Sequence, residues 1–224
     1  MQELFEGQNP KLVLFDLDGT LVHSVPDLAQ AIDRMLVAIE RVPAGIDKVG
    51  QWVGNGAAVL VRRSLAGDMA GEGVDESLFD KAYELFLAFY AESTSDLSEL
   101  YPGVLECLER MRDRGVKLGV VTNKPISFTH SMLEGFGISD FFEVVLGGDS
   151  LSERKPHPMP LQEAMKRCDA EPQNTLMVGD SVNDVAAARA AGCPVVCVPY
   201  GYNHGEDIAL SNPDKIVGRL DHLF

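Results

Sequence analysis

Short apolar runs alternate with longer stretches in which apolar residues recur every three or four positions. Residues 11–15 read KLVLF, a run short and apolar enough to predict a buried strand. Residues 116–121, 175–178 and 195–198 repeat the pattern, and 142–146 is a further candidate. Between these runs the period changes. Residues 102–114 place Val104, Leu105, Leu108 and Met111 on one helical face, begin at a proline and stop at Gly115. Residues 158–168 and 182–191 behave in the same way, the latter ending at Gly192. Strands that alternate with helices predict an α/β fold, a parallel Rossmann-like sheet with helices on both faces.

Residues 25–96 follow another rule. Leu28, Ile32, Met35, Leu36 and Ile39 share one helical face, and Leu78, Ala82, Leu85, Phe86 and Phe89 share a second. Residues 52–67 supply a third helical stretch after their glycines, and the glycines at 67, 71 and 73 mark a loop. With no strand pattern in it, this segment reads as a helical insert. The expected division is a catalytic core of residues 1–24 and 97–224 and a helical cap of residues 25–96.

The 224 residues suffice for such a core and a smaller insert, and the apolar share of 46% is that of an ordinary globular protein. A net charge of −15, with Lys and Arg clustered only in pairs such as Arg62-Arg63, argues against nucleic acid or an anionic membrane as partner. A small anion is still compatible, because a pocket can be positive on a negative protein. Apolar runs are broken well short of a membrane span, and residues 1–10 lack the basic and apolar segments of a signal peptide. Cys107, Cys168, Cys193 and Cys197 form no CxxC pair and sit in apolar stretches, the expectation for reduced thiols in a cytoplasmic protein.

Four segments carry candidate chemistry, and each follows or neighbours the carboxyl end of a predicted strand, where open parallel sheets bind ligands. The first is Asp16-Leu17-Asp18-Gly19-Thr20-Leu21, whose two carboxylates, two residues apart in extended chain, project to one side. The second is Thr122-Asn123-Lys124, a hydroxyl and a backbone amide suited to phosphate oxygens. The third is Lys155-Pro156-His157-Pro158, a compact cation in a stiffened loop. The fourth is Gly179-Asp180-Ser181-Val182-Asn183-Asp184, with Asp180 and Asp184 one helical turn apart. Taken singly, each has a bland explanation: an Asp-Gly turn, a polar strand end, a surface lysine, acids that favour a helix dipole. Together they bring four acids to one region. Two carboxylates about 4 Å apart repel by about 4 kcal/mol at an effective dielectric near 20, so the group needs a cation, and hard oxygen ligands favour Mg²⁺.

In order and in combination, these segments resemble the four motifs of the haloacid dehalogenase superfamily, in particular its phosphatases with a helical cap after the first motif. The stretches FDLDGTLVHSVPDL, WVGNGA, YPGV, VTNKP, GDSVNDVAAARAAG and YGYNHG are most similar to the bacterial phosphoglycolate phosphatases. The resemblance implies hydrolysis of a small phosphorylated metabolite by a monomer or homodimer. Asp16 would attack phosphorus and form an aspartyl-phosphate, and Asp18 would protonate the leaving oxygen and then activate water. Mg²⁺ would be held by Asp16, the Asp18 carbonyl and Asp180, with Asp184 supporting the metal or Lys155. Thr122, Asn123 and Lys155 would neutralise the transferring phosphoryl group. For the far end of an acidic substrate, Arg62, Arg63 and the Gly54-Asn55-Gly56 turn are the candidates.

Two positions depart from the pattern. His23 stands where relatives commonly have Asp and is expected at the hinge or cap interface; His157, also commonly Asp, is expected to face outward. Rival readings on the same fold are weaker. A phosphomutase would pass phosphate to a sugar. A phosphonate-cleaving enzyme needs a cap lysine, and residues 49–99 hold only Lys81. A dehalogenase lacks the second aspartate, here Asp18, and a silent binding protein would have lost a motif.

Overall fold

The computed structural model describes residues 2–223. In chain order the strands are β1 (Leu12–Phe15), β2 (Val22–His23), β3 (Glu99–Leu100), β4 (Lys117–Val121), β5 (Val144–Leu146), β6 (Thr175–Gly179), β7 (Val195–Cys197) and β8 (Lys215–Ile216). The helices are α1 (Val25–Ala38), α2 (Ile46–Trp52), α3 (Ala57–Ala66), α4 (Glu76–Glu92), α5 (Val104–Asp113), α6 (Ile126–Gly135), α7 (Met159–Arg167) and α8 (Val182–Ala191).

Six strands form one parallel sheet in the order β5-β4-β1-β6-β7-β8. The chain builds outward from β1 to β4 and β5, then crosses back and builds the other way through β6. The reversal opens a crevice between β1 and β6, where this class of sheet binds its ligands. Strands β1, β6 and β7 are buried along their whole length, as a sheet covered on both faces requires.

Alternation splits the core. Val13, Phe15, Leu118, Val120, Leu176 and Val178 pack with Leu108 and Met111 of α5 on one face. Leu12, Leu14, Met177, Val195 and Cys197 pack with Leu161 of α7 and Ala188 of α8 on the other. The sheet thus has the parallel, doubly covered form that the alternating pattern predicts. Helices α1–α4 fill the insert and close around their own apolar cluster, with Ile32, Met35, Val61, Ala82 and Phe86 at its centre. Phe128 of α6 joins that cluster and ties it to the sheet layer.

Helix α6 lies in a stretch for which the apolar period predicts no element. The helix predicted over 102–114 begins only at Val104, because Tyr101, Pro102 and Gly103 turn first, with Gly103 at φ +90°. The two-residue strands β2 and β3 pair antiparallel where the chain enters and leaves the insert.

Candidate active site

The first segment leaves β1 with its backbone still paired, Asp16 N–H donating to the Val178 carbonyl at 2.9 Å. It then folds over the Leu17 carbonyl, which accepts from the amides of Thr20, Leu21 and Val22. Leu17 and Leu21 are fully buried, which anchors the loop and leaves Asp16 and Asp18 facing the cavity. Gly19 sits at φ +89°, and a Cβ there would stand 2.3 Å from Asp180 Oδ2, so only glycine fits.

Lys155, 1% exposed at its side chain, donates to Asp184 Oδ1 at 2.7 Å and pairs with Asp16 Oδ1 at 3.0 Å. Asp184 Oδ2 accepts from Ser181 N and Oγ at 3.0 and 2.8 Å and from Asp180 N at 3.2 Å, closing a capping box at the start of α8. Both Asp184 oxygens are therefore engaged, and one of them anchors Lys155. Asp180 accepts from Thr20 Oγ1 at 2.7 Å and from the Tyr202 amide at 2.6 Å.

These contacts set the electrostatics. Burial pushes the Asp16 carboxyl up to about 6; Lys155 pulls it down, while Asp184 and Asp18 add to the rise. Burial raises Asp180 well above the ordinary carboxylate range, and Asp16 and Asp184 raise it further. Burial alone would lower Lys155, but Asp16 and Asp184 outweigh it and hold the ammonium up at about 12.

Oxygens of Asp16, Asp180 and Asp184 lie within 4.8 Å of one another. Three crowded carboxylates beside one lysine still carry net negative charge, and their hard oxygens suit a small divalent cation. Glycines keep the space around them open: a Cβ on Gly201 would stand 2.3 Å from Asp180. The residues present therefore fit a metal.

The second segment continues β4, Thr122 N–H donating to the Leu146 carbonyl at 3.0 Å. Asn123 Nδ2 donates to the carbonyls of Lys155 at 3.0 Å and Gly54 at 3.1 Å, joining two loops, while its buried Oδ1 has no hydrogen-bond partner among the described residues. Thr122, Asn123, Asp16 and Asp18 line a cavity of about 40 Å³ whose other wall is apolar, formed by residues of the insert that include Leu28, Val53, Leu60 and Phe86.

The structure thus gathers Asp16, Asp18, Thr122, Asn123, Lys155, Asp180 and Asp184 at the crevice. It does not bring Arg62 there, and Arg63 lines an open groove shared with Asn55 and Lys155 rather than the cavity itself. Arg62 makes two hydrogen bonds to Glu76, at 3.1 and 2.8 Å, and lies 3.9 Å from the Phe79 ring centroid. Arg63 donates to the carbonyls of Trp52 and Met69. Both guanidinium groups are occupied in holding the insert together, and neither lines the cavity. His23 lies in β2, just before α1, with Nδ1 2.7 Å from Tyr202 Oη and 3.3 Å from Tyr101 Oη. His157 is exposed and accepts from the Met159 amide at 3.2 Å.

Sequence reasoning missed Lys124. Its ammonium, in a residue 5% exposed, sits 3.1 and 3.3 Å from the two Asp18 oxygens and 2.5 Å from Tyr90 Oη of α4. The available signal was its place directly after Asn123 at the end of β4. It also passed over the bond from Thr20 to Asp180. All four cysteines are buried and free, and burial pushes the Cys107 thiol up to about 12, so these are core groups rather than reactive ones.

A parallel sheet with acids, a lysine and a hydroxyl converging at its topological reversal defines a protein of the α/β class with a charged ligand site at the crevice of the sheet. The model of the haloacid dehalogenase-like hydrolases matches residues 10–192, and the chain belongs to that family. It is 48% identical over 223 residues to a phosphoglycolate phosphatase of Pseudomonas putida, spanning all of this chain and 82% of that one. It is also 48% identical over 213 residues to one of Nitrosococcus oceani, spanning 95% and 94%. The crystal structure of a predicted phosphoglycolate phosphatase of Haemophilus somnus superposes with a TM-score of 0.91 at 41% identity, covering 96% of this chain and 97% of that one.

Proposed function

We propose that the protein is a Mg²⁺-dependent phosphatase that hydrolyses 2-phosphoglycolate, or a small ester close to it, to an alcohol and phosphate through a phosphorylated Asp16. The observation that carries this reading is the single polar cluster in which Lys155 bridges Asp16 and Asp184 while Asp16, Asp180 and Asp184 converge beside the cavity. The names of its full-length relatives support the substrate.

Asp16 supplies the nucleophilic oxygen. Lys155, fixed by Asp184, opposes the charge of the transferring group. Thr122 and the Asn123 amide stand on the same cavity wall to receive phosphoryl oxygens. Asp18, two residues from the nucleophile and in the same cavity, donates a proton to the leaving oxygen and takes one from the water that follows. Asp16 and Asp180 would hold Mg²⁺ together with the Asp18 carbonyl, Asp184 standing beside them. The ion supplies charge neutralisation at the phosphate oxygens and at the crowded carboxylates.

Residues 25–96 act in this reading as a cap on a core of residues 1–24 and 97–224, supplying the apolar wall and shielding the reaction from water. Among the described residues no helix is long and apolar enough to cross a membrane, and a cytoplasmic setting with a small metabolite as partner fits the acidic surface. The test is hydrolysis of a set of small phosphate monoesters with Mg²⁺ and with EDTA. Phosphate release from 2-phosphoglycolate that depends on Mg²⁺ is expected. Full activity in chelator would remove the metal from the account, and no release from any ester would remove the activity.

A further inference from the structure

With Arg62 and Arg63 tied into the insert, the far end of the cavity needs another reader of charge. The two lysines near the site divide the space. Lys155 is committed to Asp16 and Asp184, at the end where phosphorus must sit. Among the described residues that line the cavity, Lys124 is the one cation. It lies on the side of Asp18 and α4, where the cavity passes from the polar loops to the apolar wall. Its ammonium contacts one acid, Asp18, against the two that hold Lys155. Tyr90 fixes it from the insert: the phenol oxygen is 2.5 Å from Nζ, and Nζ lies 4.6 Å from the ring centroid. Phe86 and Phe128 pack on that ring and hold it in place.

A substrate whose phosphate meets Asp16 must extend its other end along a wall of Leu28, Val53 and Leu60. On such a wall a carboxylate without a cation is costly, and a buried ammonium within reach is what makes it acceptable. We propose that Lys124 is the specificity-determining residue, binding the carboxylate at the non-phosphate end of the substrate, and that Tyr90 is a positioning residue that holds the ammonium for it. The substrate class is therefore a short phosphate monoester with a carboxylate one or two carbons from the ester oxygen. This rests on the phosphatase reading above and adds the residue that reads the acid. The insert then contributes to charge recognition through one hydroxyl, acting on a lysine of the sheet layer.

The experiment compares kcat/KM for 2-phosphoglycolate with kcat/KM for 2-hydroxyethyl phosphate, which is of similar length and lacks the carboxylate. Both esters use Asp18, so any effect of Lys124 on Asp18 cancels in the ratio. Lys124→Gln is expected to lower that ratio by about 30-fold, the size of one charge-assisted hydrogen bond. Tyr90→Phe, which keeps the ring packing, is expected to lower it by about fivefold through KM for 2-phosphoglycolate with kcat retained. An unchanged ratio in both variants overturns the proposal, whatever the absolute loss of rate. If Lys124→Gln does not fold, Tyr90→Phe decides the matter alone. Failure of the unsubstituted protein to hydrolyse either ester overturns the phosphatase reading, and this inference with it.

Discussion

The loops at the strand ends and the helical insert meet at one cavity, and they are built on opposite principles. On the sheet side, buried charges are fixed by one another and by neutral donors: Lys155 between Asp16 and Asp184, Asp180 by the Thr20 hydroxyl and the Tyr202 amide. On the insert side the wall is hydrocarbon, with the hydroxyl of Tyr90 reaching across. A network of buried charges is costly to assemble and costly to break, so it specifies one geometry. An apolar wall tolerates exchange of shape at modest cost and sets what fits. In the proposed reading the insert sets the shape of the substrate, while the sheet side carries the chemistry and, through Lys124, reads the substrate's charge.

The largest effect should come from the sheet side. Asp16→Asn removes the proposed nucleophile while leaving the size of the side chain, so steady-state phosphate release should fall by at least about 1,000-fold with the circular dichroism spectrum unchanged. Residual activity of a few per cent would break the contrast by taking the chemistry away from this residue. Next in size, Lys155→Met leaves Asp16 and Asp184 without their shared cation. Denaturant unfolding should show a loss of about 3 kcal/mol, together with about 100-fold lower activity.

The crowding of acids has a pH signature. Asp16 is raised to about 6 and Asp180 is raised as well, so the folded chain retains protons that the unfolded chain releases from about pH 4 upward. Their contribution to stability falls as pH climbs through that window, and the full penalty remains above it. A divalent cation offsets the penalty only when the carboxylates are ionised. Adding Mg²⁺ should therefore raise Tm more at about pH 7.5 than at about pH 5. An equal rise at both would show that the acids are not where the ion acts.

The smallest effect should be on the insert's outer face. Arg62 pairs with an exposed Glu76, so Arg62→Ala should leave kcat/KM within about twofold of the unsubstituted protein. A large rise in KM there would return Arg62 to the substrate side and weaken the case for Lys124.

Much of this was legible in the sequence, for a physical reason. Strands β1, β4, β6 and β7 are buried runs, and burial on both faces leaves a continuous apolar signature. The acids that follow two of them, Asp16 after β1 and Asp180 after β6, must then fall at the sheet's reversal, because chain order and parallel pairing leave few alternatives. Helix α6 was illegible because ISFTHSMLEG mixes β-branched, polar and apolar residues, and its buried Phe128 is held by a tertiary contact with the insert. Arg62 and Arg63 looked like free cations because the partners that occupy them, Glu76 and the Trp52 and Met69 carbonyls, are set by the fold of the insert. Lys124 went unnoticed for the converse reason. Its acid partner, Asp18, is 106 residues earlier in the chain, and only the sheet brings them together.

The central claim is that phosphate passes through Asp16. The most direct measurement is a rapid acid quench of the protein turning over ³²P-labelled substrate with Mg²⁺, followed by peptide mapping of the acid-stable, base-labile label. The account predicts label on the peptide that contains Asp16, and none in Asp16→Asn. Label on another residue, or active turnover with no labelled protein at any quench time, would contradict it.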